Sequence, residues 1–363
     1  MSTYRETLAS GGSPVARECW MRRIRITFES KPGAVAAVAG KDDEFLPWLR
    51  RRYPGLAKLG ASDRVKLVID ERYNIKVKGT KNLGLLQDGG VIEISNITYD
   101  SIALIIALKL YCVTIEVGYE NAGSLFCVAK GEVSWLQQKI RSRHDYNLYI
   151  SYASELVAAW SQNRINFSIR SGCNLSDMLH WMFIKQGASI EQILIDDRLR
   201  RLVASDTYAS SGTSADIVTQ ALNSYAGQTR GLVTRADSSL ENKVISISDL
   251  SKSRVIKVNE NFINIGNGNP TVTANNGLDI SLFPAMNFVP GDILVVPSRL
   301  IDTSQGLTTA TGVQTTFNQN WLNPNGQYVI RRINYTFENR GQTFIFDINA
   351  VPVNLYQALA GGV

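Results

Sequence analysis

The sequence predicts an α+β, mainly β protein in which two antiparallel β-barrel modules flank a small αβ insert. Three observations predict it. Short runs that alternate apolar with polar residues recur through residues 19–165 and again from 251 onward, which is the period of half-buried strands. Glycine, asparagine and proline punctuate these runs at short intervals, the habit of a closed or nearly closed barrel. Between them, residues 166–250 change character. Two capped helical segments appear there, each followed by a short strand.

At 363 residues the chain exceeds one ordinary core and predicts two or three domains. A hydrophobic fraction of 44% is that of a folded globular protein. The net charge of +6 is mildly basic and fits nucleic-acid contact, an acidic partner, or neither. The basic runs Leu49–Tyr53 and Arg198–Arg201 read as solvated or interfacial faces. Four cysteines occur without a C-x-x-C pair, beside only two histidines, so no zinc-ligand spacing exists. The thiols read as reduced and mostly buried, in a protein assembled in cytoplasm. The Ser/Gly-rich start, residues 1–18, reads as a flexible arm without an apolar targeting core. The most apolar run, Ile102–Leu110, is about half the length of a membrane span, so no membrane anchoring is expected.

In chain order, Met21–Phe28 alternates Arg with Ile or Phe and opens the first module, residues 19–165. A proline-bearing stretch follows, with a short helix expected at Phe45–Arg52. Val65–Asp70, Tyr73–Lys78 and Val91–Ile94 are strands, and Thr98–Asp100 opens an apolar helical segment to Leu110. Cys112–Tyr119, Ser124–Leu136 and Tyr146–Tyr152 are strands around a turn at Glu120–Gly123. In the insert, residues 166–250, Asn174–Asp177 caps a helix Met178–Lys185 before strand Ile193–Ile195. Gly212–Asp216 opens a helix Ile217–Tyr225 before strands Gly231–Thr234 and Val244–Ile247. The two helix-then-strand units hint at an αβ–αβ pseudo-repeat. The second module, residues 251–363, offers strands at Val255–Val258, Gly277–Leu282, Asp292–Val296, Gly326–Tyr335 and Gln342–Ala350. Asn339-Arg340-Gly341 suits positive φ in the last hairpin turn.

Two stretches carry a family resemblance. One is Ile94–Asp100, then Val113–Tyr119 and Val128–Val133. The other is Asn276–Ile280, Phe288–Val296 with its Pro290-Gly291-Asp292 turn, Asn325–Ile330 and the closing Phe337–Ala350 hairpin. Their order resembles the baseplate hub protein of contractile-tailed bacteriophages, the tail-tube-like hub family related to the hub part of type VI secretion spike proteins. The resemblance covers most of residues 20–355 and is one of pattern and order. Lys31–Asp63 and Asn261–Asn276 match no part of it. It implies two tail-tube-like barrels per chain and a homotrimer that presents six quasi-equivalent domains. Such a ring joins the six-fold tail tube protein to the three-fold central spike protein. Baseplate wedge proteins and the tape measure protein are further implied neighbours. The resemblance also implies that genomic DNA passes through the lumen without specific binding. The expected place is the tail baseplate of the virion, assembled in the host cytoplasm.

No catalytic, cofactor or metal residue is assigned. His144 lies in a charged loop, and His180 on a helix beside Leu179 and Trp181, a structural setting. The acidic sites Asp42-Asp43-Glu44 and Asp196-Asp197 read as solvated or paired with Arg198 and Arg200, since acid–base work needs two distinct carboxyl environments. Gly266–Pro270 lacks the Lys-Ser/Thr and the helix start of a phosphate cradle. Arg50–Arg52 near Trp48 and Tyr53 suits either nucleic acid or an interface core. The rival readings are therefore a basic, nucleic-acid-contacting β-barrel protein and a tail-associated cell-wall hydrolase.

Overall fold

The computed structural model describes residues 22–31, 51, 64–84, 88–120, 125–140, 145–154, 164–204, 208–225, 228–237, 244–264, 271–272, 277–297, 307–308, 314–315 and 326–358. Strands dominate. The first stretch holds β1 (Arg22–Glu29), β2 (Lys66–Ile69), β3 (Asn74–Asn82), β4 (Gly89–Ser95), helix α1 (Tyr99–Ala107), β5 (Cys112–Tyr119), β6 (Phe126–Ile140) and β7 (Tyr146–Ala153). Then come β8 (Arg164–Ile169), α2 (Leu175–Lys185), β9 (Ile193–Ile195), α3 (Asp197–Arg200), β10 (Tyr208–Thr213), α4 (Ser214–Ser224), β11 (Leu232–Asp237) and β12 (Val244–Asp249). The last stretch holds β13 (Val255–Lys257), β14 (Thr271–Val272), β15 (Leu278–Leu282), β16 (Ile293–Val295), β17 (Leu307–Thr308), β18 (Gln314–Thr315), β19 (Gln327–Glu338), β20 (Phe344–Pro352) and α5 (Val353–Ala358). The α+β, mainly β class expected from the alternation is what forms. The expected helix at Phe45–Arg52 falls outside the described residues except at Arg51, which is helical.

The chain divides into two units. The first comprises Met1–Lys78, Gly89–Ser154 and Thr336–Phe344. Its strands run β4-β7-β6-β5-β1-β2, antiparallel at every pairing. Every second residue of β1 turns inward, so Ile24, Ile26 and Phe28 are wholly buried while Arg23, Arg25, Thr27 and Glu29 stay half-buried on the other face. Each such Ile or Phe contributes about 1.5–3 kcal/mol through burial. Helix α1 starts where the Thr98 hydroxyl accepts from the Ser101 amide, and it buries Ile102, Leu104 and Ile105. Its turn into β5 uses Lys109 at φ 48°. Strand β6 runs four residues past the expected Leu136, as the partner of β7 from Glu132 to Ile140. Polar positions there gave no apolar alternation to read.

The hairpin tip in this unit corrects one expectation. None of Asn339, Arg340 and Gly341 adopts positive φ. The tip is held by side chains instead. The buried Asn339 carboxamide accepts from the Ile75 amide at 2.9 Å and donates to the Tyr73 carbonyl at 2.7 Å. Arg22, 7% exposed, donates to the carbonyls of Glu338, Gly341 and Gln342 and lies over the Phe344 ring. Anchors between the turn and distant segments relieve it of the need for a left-handed residue.

The second unit comprises Gly79–Asp88, Glu155–Tyr335 and Ile345–Val363. Within it, β9, β12 and β11 form a three-stranded sheet, with β9 parallel and β11 antiparallel to β12. Leu179, Met182 and Phe183 of α2 and Ile217, Val218 and Leu222 of α4 pack with Ile245 and Ile247 of β12 in one core. Both helices start alike. The Asn174 side chain accepts from the Asp177 amide, and the Thr213 side chain from the Asp216 amide. Two strands absent from the expectation, β8 and β10, precede these helices and pair with each other antiparallel. The repeating unit is therefore strand–helix–strand. In the remaining β-rich part, β14, β15, β20 and β19 are successive neighbours, β16 pairs β19 antiparallel, and β13 pairs β16 parallel. The Pro290-Gly291-Asp292 turn forms with Gly291 at φ +88°. Gly326, at φ +60°, starts β19 where an added Cβ would lie 2.4 Å from the Val296 carbonyl oxygen.

Candidate functional surface

The widest ordered chemistry in the first unit is the face of its sheet turned away from the core. Residues directly opposite in register share a face. Arg25 stands opposite Glu116 and Glu29 opposite Lys66, with ion pairs of 3.4 and 2.7 Å. Arg23 reaches Glu71 at 3.1 Å, Lys31 reaches Glu132 at 2.5 Å, and Lys76 pairs with Glu338. All of these groups retain partial exposure, so each pair adds about 0–1 kcal/mol to stability. Burial would raise Glu338, but the Lys76 ammonium holds it below the usual carboxylate range. The face continues along the β6–β7 hairpin with half-exposed Trp135 and with Lys139, whose ammonium lies 5.1 Å from the Tyr149 ring centroid. A surface pocket of about 240 Å³ opens here, lined by Asn74, Lys76, Glu93, Ser95, Glu338, Arg340 and Gly341. Its two carboxylates are both engaged, Glu93 by Tyr149 and Asn147 and Glu338 by Lys76. It offers neither a nucleophile–base pair nor the two contrasting carboxyl environments of a glycosidase.

The second unit holds the residues weighed for catalysis that can be placed. Asp196 and Asp197 do not lie side by side on a loop. Asp196 caps α3 and is buried, whereas Asp197 opens that helix, exposed, 3.5 Å from Arg200. Asp196 accepts from the Arg198 amide and guanidinium and from Lys252 at 3.1 Å. Burial pushes its carboxyl upward, but these donors bring it down to about 2, so it is a fixed anion. His180 Nδ1 lies 2.8 Å from the Ser176 carbonyl oxygen one turn earlier, a local helix bond. Asp292 is raised by burial against the pull of Arg254, its partner beneath the Pro-Gly-Asp turn. Burial raises the Tyr356 phenol to about 12, and its hydroxyl donates to the Leu232 carbonyl.

Sequence reasoning missed the ion-pair ladder, since its signal is the alternation of charge within strands plus a register that only pairing supplies. It also overstated thiol burial. Cys112 and Cys127 are half-buried and Cys173 is exposed, because Cys112 and Cys127 occupy outward or strand-end positions of β5 and β6, while Cys19 lies outside the described residues. Among the described residues no group of three or more His, Cys, Asp or Glu is placed to hold a metal. No described helix is long and apolar enough to cross a membrane. His144, Asp42-Asp43-Glu44, Arg50, Arg52 and Gly266–Pro270 lie outside the described residues.

No protein-family model matches the sequence, and no curated protein matches it. Solved structures give likenesses of fold. The 43 kDa tail protein of prophage MuSo2 from Shewanella oneidensis is 10% identical, with a TM-score of 0.49 over 82% of this chain and 97% of that one. The E. coli c3393 protein, a component of the type VI secretion system, is 11% identical, with a TM-score of 0.47 over 77% of this chain and 73% of that one. A tail protein from Neisseria meningitidis MC58 is 9% identical, with a TM-score of 0.47 over 78% and 98%. Likenesses this distant assign no activity and no partner.

Proposed function

We propose that this chain is a structural tail baseplate hub protein, a homotrimeric adaptor between a six-fold tail tube and a three-fold central spike, acting without catalysis. The observation that carries the reading is the order of parts along one chain. A β-rich stretch with the Val113–Tyr119 and Val128–Val133 strands comes first, the helix-bearing stretch second, and a β-rich stretch third. The third contains the Pro290-Gly291-Asp292 turn, the Gly326–Tyr328 strand start and the last hairpin. In domain terms the proposal is an arm at 1–18, a tube-like barrel at 19–165, an αβ insert at 166–250 and a second tube-like barrel at 251–363. Two such barrels in each of three chains give six similar positions, which reconciles six-fold with three-fold symmetry.

The partners proposed are the chain itself, the tail tube protein and the central spike protein, with wedge and tape measure proteins as neighbours, in a virion tail assembled in host cytoplasm. Subunit contacts of this permanent kind bury about 2,000 Å² or more. Sedimentation equilibrium of the purified full-length chain tests the reading. The expected mass is that of three chains, with retention of spike protein on a column. A stable monomer without affinity for spike protein overturns it, and so does peptidoglycan clearing by the isolated chain.

A further inference from the structure

We propose that the open edge of β6 at Ser134–Ile140 is a docking site for an extended acidic segment of a partner protein, which adds to the sheet as a further strand. The proposal does not depend on the hub reading. Strand β6 changes neighbours along its length. Strand β5 pairs with it only as far as Glu132, and the Val133 amide makes the last bond on that edge, to the Tyr111 carbonyl at 2.7 Å. From there to Ile140 strand β7 holds the other edge, and among the described residues no strand takes this one. An open row of amides and carbonyls is a template for strand addition, in which main-chain bonds supply affinity and side chains supply selection.

The side chains around the edge define what fits. Trp135 is 50% exposed and Ile140 76%. Exposed tyrosines flank the two ends, Tyr111 beside Val133 and Tyr99 against Tyr146, the residue opposite Ile140. Apolar side chains of an incoming strand therefore find partners. Lys139 is the one charged residue of Ser134–Ile140, and its ammonium lies over the Tyr149 ring, with no carboxylate paired to it among the described residues. Arg141 and Arg143 follow it in sequence. The neighbouring Asp145 is engaged by Asn96 at 3.1 Å. Gln138 Nε2 is shielded from solvent and meets no acceptor among the described residues. Cations and an orphan donor beside an open edge select a strand that brings carboxylates. A second copy of Ser134–Ile140 brings none, so this edge does not favour its own copy.

The test is hydrogen exchange and fluorescence anisotropy of the full-length protein with two labelled synthetic peptides, one alternating valine with glutamate and one alternating valine with lysine. The glutamate peptide is expected to bind and to slow exchange across Ser134–Ile140 while α2 and α4 stay unchanged. The lysine peptide is expected to do neither. Lys139→Glu changes an exposed side chain and is expected to weaken the glutamate peptide about three- to tenfold. Circular dichroism checks that this variant is folded. If it is not, Lys139→Gln is measured, with a smaller weakening in the same direction. Failure of the glutamate peptide to slow exchange at this edge overturns the proposal, and so does equal binding of the two peptides. Protection of these amides in the protein alone that is lost on dilution assigns the edge to a second copy and also overturns it. None of these outcomes bears on the mass of the assembly, which tests the hub reading separately.

Discussion

The αβ module and the sheet of the first unit reach a folded core by opposite routes. The core of α2, α4, β9, β11 and β12 is drawn from residues 175–247, one continuous stretch. The first unit instead assembles strands from both ends of the chain, and its Arg22 clamps a hairpin tip 316–320 residues away. Contacts close in sequence form with little loop-closure entropy, and distant ones carry more. The module is held by apolar packing of local helices, and the hairpin end adds long-range polar anchors to the buried rings of Phe337 and Phe344. The ion pairs divide in another way: in the module they gather around Asp196 at the start of α3, whereas on the sheet face they join strand to strand.

The comparison breaks or sharpens under five substitutions, from the largest effect to the smallest. Phe183→Ala removes a wholly buried ring from the module and is expected to lower stability by about 3–5 kcal/mol. Hydrogen exchange should show protection lost across α2 and α4 first. Equal loss in β1 and β5 would mean that the two regions do not open separately. Arg22→Ala strands three carbonyls at the hairpin tip and is expected to lower stability by about 2–4 kcal/mol. Exchange should quicken at residues 336–344 and leave α2 and α4 protected.

Asp196→Asn tests the polar tie between α3 and the β12 end. The folded carboxyl sits at about 2, below its ordinary 3.8. Its contribution, about 2 kcal/mol, is present above about pH 4 and is lost as pH falls through about 2. Melting temperatures of wild type and variant should differ at neutral pH and converge near pH 2. A constant difference across that range would show that the charge is not what stabilises. Thr213→Ala removes the cap of α4 and is expected to lower stability by about 1 kcal/mol, with Asn174→Ala alike at α2. Thermal melts of the pair measure whether the two starts are equivalent, as the repeat implies.

How much of this was legible follows from what each element needs. Cys112–Tyr119 is strand β5 at the expected residues, since one face of a half-buried strand must be apolar and that writes a period of two into the sequence. Helices α2 and α4 were legible because their caps use side chains with a fixed offset to Asp177 and Asp216. Strands β8 and β10 were not, because Arg164–Ile169 and Tyr208–Thr213 are short and mostly polar and hold by pairing with each other. The long end of β6 was hidden for the same reason, and β7 supplies its partner.

For the candidate surface, the sequence offered the charges but not their neighbours. Arg25 and Glu116 are 91 residues apart, as Arg22 and Glu338 are 316. Alone, the sequence determined the mainly β class, the two capped helices and the turn at Gly291, because propensity, periodicity and φ act over a few residues. Tertiary structure alone decided the β8–β10 pairing, the positive φ of Gly326, the clamp on the last hairpin and the ion-pair ladder, because register and salt-bridge partners exist only once distant strands lie side by side.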